Sequence, residues 1–277
     1  MSAEVAIVTG TRHRYHGLQR LVASVNKTAS VSTEIVIADA SDDMLYVEFP
    51  ITNSCIKSIE IFHEFPRIGP TRGYNIAFRK AAGSKPRYVV YVNDDCEMVA
   101  GWDRIAIDFM DQHAEIGLGA IYFRDPGGPW NFQTLAWKGG KMCYANMGIY
   151  RREVGEQVDW FDEREVFVPA LGRIESLKFY GNDTSGGLKV LEAGYGVVPI
   201  PGCKIDHHRE PDLVRQENYR DFVHCQSGNT AGMVLWELWN GLPEKQAIYG
   251  QDYGYRQLQE THDRFRHLIP TSEYLQE

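Results

Sequence analysis

The chain has 277 residues, 29 basic against 37 acidic side chains and a formal net charge of −8, a length that suits one large α/β domain or two ordinary ones. With 43% hydrophobic, 12% aromatic and 24% charged residues it excludes a disordered or fibrous chain, and its acidic balance sets nucleic acid aside as a partner. Cys55, Cys96, Cys143, Cys203 and Cys225 form no CxxC pair, so they read as reduced thiols rather than a disulfide framework or a zinc knuckle.

The opening MSAEVAIVTG lacks the features of a signal peptide, and no run reaches the ~20 apolar residues that span a bilayer. A cytoplasmic chain is expected, with peripheral membrane contact left open. Val5 to Val8 predicts a buried strand. Leu18, Leu21, Val22 and Val25 then follow i, i+3, i+4, i+7 and predict a helix. Further strands are expected at 34–40, 58–62 and 87–92, the last apolar throughout, as in a sheet covered on both faces. Tyr74, Ala77, Phe78 and Ala81 predict a helix before that strand; Trp102, Ile105, Ala106 and Phe109 predict another after it. This alternation predicts an α/β fold, a Rossmann-type mixed and mostly parallel sheet flanked by helices.

From about 119 to 150 the pattern turns to Gly, Pro and aromatic residues, notably RDPGGPWNFQTLAWKGG at 124–140. An irregular insertion between two halves is expected there, with a β-hairpin excursion as the alternative. Ala231, Val234, Leu235 and Leu238 form a last helical stripe. Trp236 and Trp239 fall on other faces, so this C-terminal helical extension needs several neighbours: the body, a second copy in a homo-oligomer, or an acceptor.

Sheets of this kind bind ligands beyond the carboxyl ends of their strands, where Asp39, the Asp42–Asp43 pair and Asn93, Asp94 and Asp95 are expected. Adjacent carboxylates repel unless solvated or shared with a cation, and hard oxygen ligands suit Mg2+ or Mn2+; a solvated turn is the competing use. Asp39 is also placed to receive ribose or base hydrogen bonds, which makes an NAD(P)-dependent oxidoreductase the rival. Against it, GTRHRYHG at 10–17 has neither GxGxxG nor GxxxxGK[ST]. Thr9, Thr11, Arg12 and Arg14 either face a nucleotide or belong to a solvated loop. In RIGPTRGYNIAFRKA at 67–81, Arg72 suits a diphosphate and Asn75 a nucleotide or sugar loop, with surface charge and capping as alternatives.

IVTGTRHRYHGLQRLVASV, IVIADASDD, GPTRGYNIAFRKAAG, YVVYVNDDCEM, MGIYRREVGEQVDWFDE and FYGNDTSGGLKVLEAGYGV resemble the successive blocks of GT-A-fold nucleotide-sugar glycosyltransferases close to family 2. The resemblance covers roughly residues 4 to 208. It implies a GT-A-like catalytic domain at 1–215, with a nucleotide-sugar-binding half at 1–118, an acceptor and catalytic half at 119–215, and the helical extension at 216–277. It also implies a nucleoside-diphosphate sugar, a UDP-sugar favoured, held over Mn2+ or Mg2+. By that analogy Asp39 contacts the base or ribose, Asp94 the donor ribose or sugar, and Asp95 the metal, while Asn93 stands in for the first acid of a frequent triple.

Asp183 would be the base that deprotonates the acceptor hydroxyl in an inverting transfer, although from the residues alone a helix N-cap is the commoner use of such an Asp. Asn182 stands where many members carry Glu. His207 would add a nitrogen ligand to the metal; His208, its neighbour in an extended chain, points the other way. Asp162, in the FDE element, would bind the acceptor or orient the following helix, with a cap and first-turn acid as the commoner use of such a residue; Trp130, Trp137 and Trp160 offer sugar-stacking surfaces, with packing an equal use for each. The acceptor is expected to be a saccharide or another small molecule. A nucleotide-sugar-binding protein without transfer is the further alternative.

Overall fold

In the computed structural model, which describes residues 3–270 apart from 46, 65, 67–68, 179 and 209–227, one eight-stranded sheet has the order β3-β2-β1-β4-β9-β6-β12-β5. Its strands are β1 (Val5–Thr11), β2 (Thr33–Asp39), β3 (Ile56–His63), β4 (Tyr88–Tyr91), β5 (Cys96–Met98), β6 (Ile116–Arg124), β9 (Gly148–Arg151) and β12 (Gly196–His207). All run in one direction except β9 and β5, which are antiparallel to their neighbours. The ends of β1, β2, β4, β6 and β12 therefore share one edge of the sheet, and Thr11, Asp39, Asp94, Asp95 and His207 lie at or just beyond those ends.

The helices α1 (Tyr15–Thr28), α2 (Pro70–Gly83) and α3 (Trp102–Gln112) are the crossovers that a parallel sheet requires. Leu18, Leu21, Val22 and Val25 are buried, as their spacing predicts. Each such side chain contributes roughly 1.5–3 kcal/mol when removed from water. α3 differs slightly: its buried face is Trp102, Asp103, Ala106, Ile107 and Met110. Asp103 is accepted there because its Oδ2 receives the backbone N–H groups of Ser30 at 2.5 Å and Val31 at 3.1 Å.

The region 119–150 is not an irregular insertion. β6 and β9 flank each other in the main sheet, and only the stretch between them leaves it, as the hairpin β7 (Gln133–Trp137) and β8 (Gly140–Tyr144). Two glycines disguise β6 in the sequence. At Gly119 a Cβ would lie 2.3 Å from Ile200 Cδ1, so close packing against β12 excludes a side chain at this position. The boundary drawn at 118/119 thus falls inside a strand, and one sheet runs through both halves.

Beyond α4 (Arg152–Val158) come the small hairpin β10 (Val166–Val168) and β11 (Arg173–Glu175), and then α5 (Asn182–Glu192). The C-terminal helices α6 (Gly228–Asn240), α7 (Pro243–Tyr249) and α8 (Tyr253–Asp263) follow. Ala231, Val234, Leu235 and Trp239 of α6 are buried, and the His262 ring of α8 accepts the Cys143 N–H of β8 at 3.0 Å. The extension therefore packs on the body; its first part, 216–227, and Cys225 lie outside the described residues. The other four cysteines are free thiols. Among the described residues no helix is long and apolar enough to cross a membrane.

Candidate active site

β4 ends at Tyr91, and a turn closed by the Cys96 N–H on Asn93 O at 3.2 Å carries Asp94 and Asp95 across to β5. The first turn of α1 packs directly on this loop: a Cβ at Gly17 would lie 2.9 Å from the Asp94 carbonyl oxygen. That approach brings Arg14 over both acids. Its guanidinium donates through Nη1 to Asp94 Oδ1 and through Nη2 to Asp95 Oδ2, each at 2.7 Å, and the Thr11 hydroxyl donates to Asp94 Oδ2 at 2.8 Å. Two adjacent buried carboxylates are tolerated here because a fixed cation spans them.

The antiparallel pairing of β12 with β5 sets His207 opposite Cys96, and so beside Asp95. His207 Nε2 lies 3.3 Å from Asp95 Oδ1, and Nδ1 lies 3.0 Å from Asp125 Oδ1 at the end of β6. His208 turns the other way, to Glu97 Oε2 at 3.1 Å. Burial alone would raise the Asp95 carboxyl, but the His207 ring and the Arg14 guanidinium outweigh it and hold the group well below the usual carboxylate range. Burial likewise opposes a charged His207, yet Asp95 and Asp125 raise its pKa.

These residues fit a divalent ion. Asp95 Oδ1 is buried and accepts no directed hydrogen bond among the described residues. It shares a cluster with Cys96 Sγ and a His207 nitrogen in which all the ligand atoms lie within 4.8 Å of one another. Burial pushes the Cys96 thiol well above its ordinary value, so the usable donors are one carboxylate oxygen and one imidazole nitrogen, a set suited to Mn2+ or Mg2+. Asp125 is the outer partner that fixes the orientation of such an imidazole.

Asp183 sits in a different setting. Gly181 is the N-cap of α5, which puts Asp183 in the first turn and corrects the capping alternative. Burial pushes its carboxyl up to about 6, partly offset by the Thr184 N–H, which donates to Oδ1 at 2.8 Å. Its neighbours include Tyr91, Tyr144 and Tyr150, whose phenols burial and the Asp183 charge push up, so they stay neutral. A carboxylate with few donors around it is a better proton acceptor than one saturated by them.

The remaining donor-side residues are distributed as follows. Thr9 is buried in β1; Asn93 Oδ1 lies 3.4 Å from the Tyr74 hydroxyl; Arg12 Nη2 lies 3.7 Å from Asp42 Oδ1. Asp39 is fully buried, with its two oxygens accepting the N–H groups of Ser41 at 3.0 Å and Leu45 at 2.7 Å. Arg72 is half exposed and faces Glu163 Oε2 at 3.6 Å. Asn75 is a correction. Its amide is buried and spent on Phe161 O at 3.0 Å, Glu163 Oε1 at 2.6 Å and the Phe161 N–H at 3.0 Å, so it ties α2 to the 160s loop instead of meeting a donor.

Residues 6–164 match the glycosyl transferase family 2 sequence profile. The chain belongs to glycosyl transferase family 2. No curated protein matches the chain in sequence. Among solved structures, residues 1–349 of TarS from S. aureus in complex with UDP are 15% identical over 88% of this chain and 72% of that one, with a TM-score of 0.53. GalNAc-T7 with UDP, GalNAc and Mn2+ is 14% identical over 96% of this chain and 57% of that one, at 0.55. The mannosyltransferase PcManGT from Pyrobaculum calidifontis with GDP-Man and Mn2+ is 12% identical over 99% and 78%, at 0.54. The fold is thus that of GT-A glycosyltransferases, and the oxidoreductase alternative falls away.

In this family 2 glycosyltransferase the three tryptophans differ in their surroundings. Trp160 is fully buried and stacks on Phe78 at 4.6 Å and 5°. Trp137 donates its indole N–H to Gln259 of α8 at 3.1 Å and meets Tyr255 edge-on at 6.1 Å. Trp130 carries Arg124 at 4.4 Å and Lys204 at 4.9 Å from its ring centroid. Asp162 is buried and paired with Arg164 at 2.6 Å, while its N–H donates to Ser185 of α5 at 3.1 Å; it steadies the start of the helix that carries Asp183. Sequence reasoning missed Asp125 and the three tyrosines. The signal for Asp125 was an acid at a strand end, hidden because β6 was not read as a strand.

Proposed function

We propose that this glycosyltransferase is a divalent-cation-dependent, inverting enzyme that moves a sugar from a nucleoside-diphosphate sugar to an acceptor hydroxyl. The observation that carries the reading is the pairing of Asp95 Oδ1 with His207 Nε2 at 3.3 Å, on the edge shared by the strand ends. Asp95 and His207 would hold Mn2+ or Mg2+, which supplies charge neutralisation for the departing diphosphate. Asp94 accepts donor ribose or sugar hydroxyls, Asp39 holds the loop after β2 through the Ser41 and Leu45 N–H groups, and Arg72 is a cation for the diphosphate. Asp183 takes the acceptor proton as the acceptor oxygen bonds to the anomeric carbon and the bond from that carbon to the diphosphate oxygen breaks. A single displacement of this kind inverts the anomeric centre.

A UDP-sugar is the favoured donor. TarS and GalNAc-T7 are both described with UDP, and PcManGT with GDP-Man supports the broader class. The acceptor is proposed to be a saccharide or another small hydroxylated molecule, and the C-terminal helices an extension of a catalytic domain that ends near residue 215. Calorimetric titration with UDP, GDP, dTDP and CDP, each with and without Mn2+, tests the donor site. UDP binding that requires Mn2+ and is lost in Asp95→Ala supports it; failure of every diphosphate to bind the folded protein in either condition overturns it. Binding without transfer to any acceptor would identify a nucleotide-sugar-binding protein instead.

A further inference from the structure

The two oxygens of Asp95 are treated differently. Oδ2 accepts Arg14 Nη2 at 2.7 Å, while Oδ1 faces His207 Nε2 at 3.3 Å and accepts no directed hydrogen bond among the described residues. The same guanidinium reaches Asp94 Oδ1 at 2.7 Å. The Arg14 side chain is 17% exposed against 4% and 2% for Asp94 and Asp95, so the arginine is the part of the cluster that solvent reaches. The preceding residue, His13, holds φ at 54° with its N–H on Ser41 Oγ at 2.9 Å. That backbone region is rarely used by residues with a side chain, and here it forms the turn that delivers Arg14 across both carboxylates.

We infer that Arg14 confines Asp95 to coordinating an ion through Oδ1 alone, and that it binds the donor diphosphate itself as a second positive charge on the same carboxylate. The inference rests on Asp95 and His207 being the ion ligands proposed above. A carboxylate can grip such an ion with one oxygen or two; Arg14 occupies the second. A guanidinium fork matches phosphate oxygens, and Arg14 is the most exposed side chain of the three. Arg14 therefore trades ion affinity for diphosphate affinity: its positive charge, a few ångströms from the ion position, weakens the first and strengthens the second.

The test is Mn2+ alone titrated into wild type, Arg14→Gln and Asp95→Asn, followed by electron paramagnetic resonance of the free ion, and then UDP titrated at saturating Mn2+. Arg14→Gln is expected to bind Mn2+ about tenfold more tightly and UDP at least about tenfold more weakly. A loosened fold would lower both affinities together, and that result, or an unchanged UDP affinity, overturns the inference. Asp95→Asn separates the two claims. If wild type and Asp95→Asn bind Mn2+ alike, or neither binds it, the ion assignment fails and this inference with it; if Asp95→Asn loses the ion while Arg14→Gln changes nothing, only the role of Arg14 fails. Should Arg14→Gln not fold, side-chain 15N NMR of wild type decides: the Arg14 guanidinium stays rotationally restricted on adding Mg2+ and shifts on adding UDP, whereas release by Mg2+ alone, or no response to UDP, is contrary.

Discussion

Asp95, in the turn after β4, and Asp183, in the first turn of α5, are the same residue type, and their surroundings drive them apart. Arg14 and His207 hold Asp95 ionised far below the ordinary carboxylate range. Asp183, in the first turn of α5 among buried phenols, is pushed up to about 6. An acid that is always charged suits an ion and a diphosphate; an acid that titrates near neutrality suits proton transfer. Two cationic partners keep Asp95 charged, and Asp183 has none among the causes of its shift.

Replacing Asp183 breaks the contrast most severely. Asp183→Asn keeps the size and removes the base, so kcat is expected to fall about 10²- to 10⁴-fold, while UDP affinity, measured calorimetrically with Mn2+, stays unchanged. A shared loss of both would place Asp183 on the donor side. Trp160→Ala removes a fully buried ring that stacks on Phe78 at 4.6 Å, and denaturant unfolding is expected to show a loss of about 3–5 kcal/mol. Asp125→Ala frees the His207 ring, and Mn2+ affinity is expected to weaken about 10- to 100-fold. Asp125→Asn should fall between, since its amide oxygen can still accept from Nδ1.

Asp183 also gives activity and stability opposite pH dependences. Asp183 acts when deprotonated, so kcat/KM should rise with pH and level off above about 6, the value to which burial raises it from 3.8. The sign for stability is opposite. Between these two values the folded state keeps a proton that the unfolded chain has lost, so the contribution of Asp183 to stability is fully present below about 3.8 and is lost as pH rises through about 6. Asp183→Asn should flatten both profiles; thermal unfolding and initial rates across that range measure them.

The donor half of the fold was legible because each element there announces itself in a few residues. β1, β2, β3 and β4 are short apolar runs, and α1 and α2 show their buried faces in sequence, so the position of Asp94 and Asp95 at a strand end follows from local pattern alone. His207 required the family resemblance, because its nearness to Asp95 depends on β12 pairing with β5, in which His207 meets Cys96 far away in the chain. Asp125 and the tyrosines were not legible. β6 carries Gly117 and Gly119 where a strand pattern expects side chains, and the tyrosines that surround Asp183 come from three different strands. Asn75 misled for a related reason: a polar residue near a site looks functional until the groups that satisfy it are seen.

Anomalous diffraction from crystals grown with Mn2+ and UDP decides whether Asp95 and His207 form the cation site of a metal-dependent glycosyltransferase. One strong manganese peak is expected within coordination distance of Asp95 Oδ1 and His207 Nε2, with Arg14 still on Asp95 Oδ2. Bound UDP with no manganese between those two residues would rule this cation site out.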